Sequence, residues 1–195
     1  MFFLRQPSSD AVRRFISSQR EVPFSYPEVG ATRADLPSGY TVDHNRVQLG
    51  AGQQCYESAI AAIRNWKQFD LGWVQMVPVA TPLETGAVVA ILTQHFGFWS
   101  LNACRVVYLI NENGSVKKFG FAYGTLASHV ERGEERFTIE WHADDDSVWY
   151  DILAFSRPNQ LLIRFGLPIA RMLQKRFAKD SLNAMAEAVR DDAAR

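Results

Sequence analysis

Residues 129 to 136 read His-Val-Glu-Arg-Gly-Glu-Glu-Arg. An imidazole therefore stands close in sequence to the carboxylates of Glu131, Glu134 and Glu135, the ingredients of general acid–base chemistry, in which a side chain titrating near the working pH passes a proton. Arg132, Gly133 and Arg136 interleave with the acids. That mixture suits a solvated turn ahead of a strand better than a dry catalytic pair.

Other chemistries find less support. His44, His95, His129 and His142 are scattered, without the helical i, i+4 pair or mixed Cys spacing of a zinc site. No metal ligand set and no cofactor is implied. Gly50-Ala51-Gly52 separates an extended run from a helical one, but a dinucleotide fingerprint needs Gly or Ala where Cys55 stands. The glycines read as a tight turn into a packed helix. Asp144, Asp145 and Asp146 lack the spaced ligands, glycine and distal Glu of a calcium loop, so they mark a wet hairpin tip. Arg105 is the one basic residue inside an otherwise mixed strand, where a structural ion pair is the simpler role and capture of an anion the sharper one.

These residues are positioned by a recognisable order of elements. Val12, Phe15 and Ile16, with N-cap oxygens at Ser8, Ser9 and Asp10, predict a helix over about 10–19. Pro23, Pro27, Pro37, Gly30 and Gly39 then rule out regular structure, so this stretch is an extended arm draped over a surface, with Phe24, Tyr26 and Val29 to bury. A strand over about 40–49 leads into a helix over about 53–69 that buries Trp66. Strands follow at about 72–80, 86–96, 101–111, 117–127, 135–143 and 147–156, with a hairpin signal at Asn113-Gly114. Phe165, Ile169, Met172, Leu173 and Phe177 then fall near period 3.6 and predict a closing helix over about 167–190. Its basic residues, Arg164, Arg171, Lys175, Arg176 and Lys179, belong to a solvated back face. The fold class is α+β: a curved antiparallel sheet wrapped around a long C-terminal helix.

Composition bounds the function. In 195 residues, 21 Lys and Arg balance 21 Asp and Glu, which argues against a general nucleic-acid binder. With 47% hydrophobic residues the chain has material for one core, so residues 1–195 are expected to form one domain with 1–39 as its helix and arm. Cys55 and Cys104 are too few for a disulfide framework and read as thiols in a reducing compartment. No apolar run approaches a membrane span, and a cytoplasmic location is expected.

Seven segments carry a resemblance to a known family: Tyr26-Pro-Glu-Val-Gly-Ala-Thr32, Arg46-Val-Gln-Leu-Gly-Ala-Gly52, Asn102-Ala-Cys-Arg-Val-Val-Tyr108, Phe119-Gly-Phe-Ala-Tyr-Gly-Thr-Leu126, Gly133-Glu-Glu-Arg-Phe137, Ala154-Phe-Ser-Arg-Pro158 and Arg176-Phe-Ala-Lys-Asp-Ser-Leu182. Together they resemble uncharacterised protein family 0548, a domain of unknown function that looks like a branch of the START-like, helix-grip (SRPBCC) superfamily. The resemblance implies the same fold and a superfamily of proteins that bind apolar molecules, some of them cyclases and hydrolases. It transfers no activity.

Strand parity puts Phe119, Phe121, Tyr123 and Thr125 on one face with Phe137, Ile139 and Trp141. The expected function is binding of a small apolar or amphipathic molecule between sheet and C-terminal helix. Its expected contacts are Tyr123, Thr125, Trp141, Phe155 and Met172, with Tyr108 and Arg157 as polar anchors. Two alternatives stand beside it. One is an enzyme using Tyr108, Tyr123, His129 or Glu131 as acid or base; the other is an interaction protein whose interior is filled by its own aromatics.

Overall fold

In a computed structural model of the chain, residues 1–78, 80–159 and 167–193 are described. Phe165 and Arg164 lie outside them.

The short helix α1, Ser9–Gln19, is capped by Ser8, whose hydroxyl accepts from the Ala11 amide at 3.3 Å. It buries Val12, Phe15 and Ile16 against Ala90, Leu92, Leu101 and Ala103 on the convex side of the sheet. The sheet comprises β1 (Phe2–Phe3), β2 (Thr41–Ala51), β3 (Val74–Val77), β4 (Val88–His95), β5 (Phe98–Glu112), β6 (Val116–Thr125), β7 (Glu131–His142) and β8 (Ser147–Pro158). Among the described residues all pairings are antiparallel, in the order β2-β8-β7-β6-β5-β4-β3, with β1 on β5. Helix α2, Gly52–Arg64, and helix α3, Leu167–Ala193, pack together against the concave side.

Several local expectations are refined. The β5–β6 hairpin turns at Asn113-Gly114, yet neither residue takes positive φ, so the turn is not type I′. Helix α2 stops at Arg64 because Trp66 adopts φ 56°, and a 3₁₀ turn, Lys67–Phe69, follows. Trp66 is nonetheless core, edge-on to Phe121 at 5.0 Å. Arg105 makes no ion pair among the described residues; its guanidinium donates to the carbonyls of Gln19, Arg20 and Val22. It closes the end of α1, where unpaired carbonyls gather and a cation is favourable.

The arm between α1 and β2 crosses the convex side, as draping required, although Val29 stays exposed. Tyr26 is buried over Gly124, where a Cβ would stand 2.1 Å from its hydroxyl oxygen. Only glycine lets the ring lie so close. The Tyr26 hydroxyl donates to Glu134 Oε2 at 2.7 Å, as does the Gly30 amide, while the Thr32 amide and hydroxyl both donate to Oε1. A buried carboxylate with four donors is fully compensated for lost hydration.

Glu134→Ala strands those donors in the interior, and it should lower stability by about 3 kcal/mol or more in urea denaturation. Limited proteolysis should then cut first within residues 20–40, and cleavage elsewhere with an unchanged denaturation midpoint would show that the clamp does not hold the arm.

Candidate functional site

Helix α3 meets the sheet unevenly along its length. At its C-terminal half Met185 and Val189 are buried with α2, and the Tyr150 hydroxyl lies 3.0 Å from that of Ser181. In the middle Phe177 meets Phe69, which stacks on Tyr123 and is edge-on to Phe137. Aromatic side chains thus fill this part of the space. Toward the start of α3 small and polar residues, Ala170 and Gln174 on the helix with Thr125, Gly133, Ala154 and Ser156 on the sheet, stand beside Leu173. A cavity of about 580 Å³ remains between them. That volume is in the range of small-molecule sites. The β4–β5 hairpin forms one rim, where Phe96 sits at φ 49° and is 68% exposed, beside Phe2 and Phe98.

β7 supplies the glutamates that line the cavity. That strand begins at Glu131, four residues before the expected start, so the acidic stretch is strand and not solvated turn. Alternation sends Glu131, Gly133 and Glu135 to the concave side and Glu134 to the arm. Glu131 accepts two contacts of 2.8 Å from Gln174 Nε2 of α3, which also donates to Ser156 Oγ at 3.0 Å. Glu135 Oε2 accepts from the Tyr123 hydroxyl at 2.8 Å. At the rim Arg171 of α3 donates to both oxygens of Asp43 on β2.

Burial dominates the electrostatics. It pushes Glu135 up to about 7, against the Tyr123 hydrogen bond and with help from the negative charges of Glu131 and Asp43. Glu131 is also raised by burial, with its Gln174 hydrogen bonds and Arg171 opposing. Burial drives Tyr123 well above the usual phenol range and lowers His129 to about 4. The His129 Nδ1 lies 2.9 Å from the Glu131 amide and accepts from it, so the neutral ring carries its proton on Nε2. Glu135 keeps some accessible surface, but the surface it keeps faces the cavity interior. A carboxyl titrating near neutrality beside a phenol can hold or release a proton at ordinary pH.

The expected contacts separate into two groups. Tyr123 and Thr125 line the cavity, and Phe155 borders it, although its ring lies on the arm's side, edge-on to Tyr26 and Tyr40. Tyr108, Trp141, Arg157 and Met172 do not line it. A register shift between Val106 and Tyr108 reverses the parity of β5, so Tyr108 faces the arm and its hydroxyl lies 2.6 Å from that of Thr32. Trp141 faces inward as parity requires, but at the α2 end, tilted against Tyr56. Arg157 lies outside, 4.5 Å above the Tyr40 ring. Met172 stands two residues from both Ala170 and Gln174, about 200° around the helix from each, and is 51% exposed. Glu135, weighed from the sequence as part of a solvated turn and not as a cavity contact, also lines the cavity, and counting back from Phe137 by twos reaches it. Among the described residues no group of three or more His, Cys, Asp or Glu side chains is arranged to hold a metal ion.

Comparison with known proteins agrees with this geometry. The model of a domain of unknown function, DUF1990, matches residues 25–184. A UPF0548 protein of Dictyostelium discoideum is 40% identical over 208 aligned positions, covering 97% of this chain and 96% of the relative. The chain belongs to the UPF0548 family. Another UPF0548 protein, from Deinococcus radiodurans, is 38% identical over 92% of this chain and 94% of its own. The UPF0548 fold is that of START-type proteins: a START superfamily protein from Mycobacterium smegmatis aligns at TM-score 0.52 with 14% identity, over 78% of this chain and 99% of that one. An aromatase/cyclase from Streptomyces sp. R1128 aligns at 0.51 with 12% identity, over 77% and 94%. At such identities the likeness concerns fold alone.

The raised Glu135 gives a pH signature. Its folded-state pKa lies above the ordinary carboxyl value of 4.5, so between that value and about 7 the folded protein holds more protons than the unfolded chain. Stability must fall as pH rises through that window, by up to about 1.4 kcal/mol per unit. Relative to Glu135→Gln, the wild type should lose on the order of 2–3 kcal/mol between pH 4.5 and 7. Parallel stability curves for the two proteins would mean that Glu135 is an ordinary solvated acid.

Proposed function

We propose that this protein binds a small apolar or amphipathic molecule in the cavity between the sheet and the start of α3. The supporting observation is the cavity itself: about 580 Å³ walled by Phe69, Ile91, Ile152, Leu173 and Phe177, with Tyr123 and Glu135 converging on it. A mostly apolar enclosure with a few placed polar groups is the usual form of a small-molecule site. The aromatic cluster of the 3₁₀ turn, the sheet and the middle of α3 closes one end, and the exposed Phe2, Phe96 and Ile169 frame the other. Entry at the β4–β5 hairpin follows from that arrangement.

One observation favours a second reading, catalysis in the same cavity. Glu135, held near neutral titration against the Tyr123 phenol, is placed to take a proton from a bound molecule or return one. Glu131 and His129, considered as acid or base from the sequence, sit on the same wall. Low-level turnover lost in Glu135→Gln with binding retained is the mark of that reading.

Binding is tested with Nile red, a neutral apolar fluorophore. Wild type should take it up with a blue-shifted emission and saturable stoichiometry. Ala154→Trp, which puts an indole opposite Glu135, and Ala170→Trp, on the helix wall, should each reduce uptake at least tenfold while the far-UV circular dichroism is kept. Unchanged uptake in both well-folded variants would place the dye elsewhere and remove the support for this cavity.

A further inference from the structure

β5 and β7 turn hydrogen-bond acceptors toward the cavity. Asn102 is 5% exposed, and its Oδ1 has no hydrogen-bond partner, while its Nδ2 donates to Ser100 Oγ at 3.2 Å. Both residues line the cavity. Glu135 spends Oε2 on Tyr123, and no donor among the described residues reaches Oε1. Glu131 is met by a neutral amide, that of Gln174. The cations at this end of the protein are committed elsewhere: Arg171 to Asp43, the amino-terminal ammonium to the Leu101 carbonyl at 2.9 Å, and Lys175 to solvent at the rim. Among the described residues, no cation lies within salt-bridge distance of Glu131 or Glu135.

Two buried carboxyl groups with no ion-pair partner among the described residues, together with an unpartnered amide oxygen, form a site suited to a cationic donor. We propose that the molecule taken by this cavity is a cationic amphiphile, an apolar body carrying a protonated primary or secondary amine that seats against Glu135 and Glu131, with Asn102 Oδ1 as a neutral acceptor. This rests on the binding reading above and adds the chemical class. An apolar carboxylate of the same length meets Glu131 and Glu135 as like charges and is rejected. An alcohol donates one hydrogen bond but leaves the charge uncompensated.

The assignment carries a proton count. Glu135 is faced by Tyr123, Tyr150 and Cys104 from neighbouring strands, by Glu131 and Asp43 as negative charges, and by Arg171 and Lys175 at the rim. With its carboxyl pushed up to about 7, it holds a proton much of the time when the cavity is empty. An entering ammonium displaces that proton. Amine binding therefore releases protons near pH 7 and weakens by up to about tenfold per unit as pH falls below that value.

The experiment displaces bound Nile red with decylamine, decanol and decanoate, matched in chain length. At pH 7.5 decylamine should displace at a concentration at least tenfold below that of decanol, with decanoate weakest. Glu135→Gln with Glu131→Gln should bring decylamine to the level of decanol. Titration calorimetry of decylamine into wild type near pH 7, in two buffers of different ionisation enthalpy, should show net proton release. That second measurement needs no variant to fold. Decanol or decanoate displacing as well as decylamine, or amine binding without proton release, overturns the cationic assignment while the cavity reading stands. Failure of Nile red and all three decyl compounds to bind overturns both.

Discussion

Glu134 and Glu135 are consecutive, and the alternation of an extended strand obliges them to face opposite sides of the sheet. The rest of the structure depends on that reversal. On the convex side Glu134 collects four donors from an arm with no regular ladder of its own, so one carboxylate replaces the hydrogen bonds that the proline-rich stretch cannot make. On the concave side Glu135 has a single donor, Tyr123, and a cavity in front of it. The two environments give the same side chain different work. The first is saturated and structural; the second is left short of partners in a space large enough to supply one.

The cavity exists because α3 is graded along its length. Phe177 and Met185 are large, and the strands opposite them carry Phe121, Phe137, Ile139 and Tyr150, so that region closes by packing. Two turns before Phe177 the helix offers Ala170 against Gly133, Ala154 and Ser156. Small residues on both walls leave the gap open. Gly133 has a second reason to be small, since a Cβ there would meet the Phe155 carbonyl at 1.9 Å. Backbone closeness between β7 and β8 and room for a ligand thus arise at the same position.

The fold was legible because each element announces its period over many residues. Period-two runs such as Phe119, Phe121, Tyr123 fix which face is buried, and a near-3.6 stripe fixes α3 as the helix that covers it. The site was less legible for local reasons. One extra residue near Val107 in β5 inverts Tyr108, and a bulge of that kind leaves no compositional trace. Met172 has the right chemistry on the wrong side of its helix, because it lies just beyond the edge of the buried stripe. Trp141 has the right face at the wrong end, since parity says nothing about position along the helix it meets. The acidic stretch read as a wet turn because charges rarely enter strands. That rarity is what makes Glu131 and Glu135 informative once the strand is seen to begin at Glu131.

What a buried acid contributes depends on what is brought to it. Glu135 costs the fold stability at neutral pH, because its environment disfavours the charge it would carry in water. A protein tolerates that cost where the group is used. If the incoming molecule is already positively charged, Glu135 ionises to meet it, and the outcome is selective binding. If instead it presents a weakly acidic proton near the carboxyl, the same pKa makes Glu135 a base, with Tyr123 as the donor that stabilises its charge. Both outcomes draw on one feature, a carboxyl held near neutrality with one side hydrogen-bonded and the other open. The distinction between a binding protein and an enzyme in this cavity therefore lies in the ligand's protonation chemistry and not in a further residue of the chain.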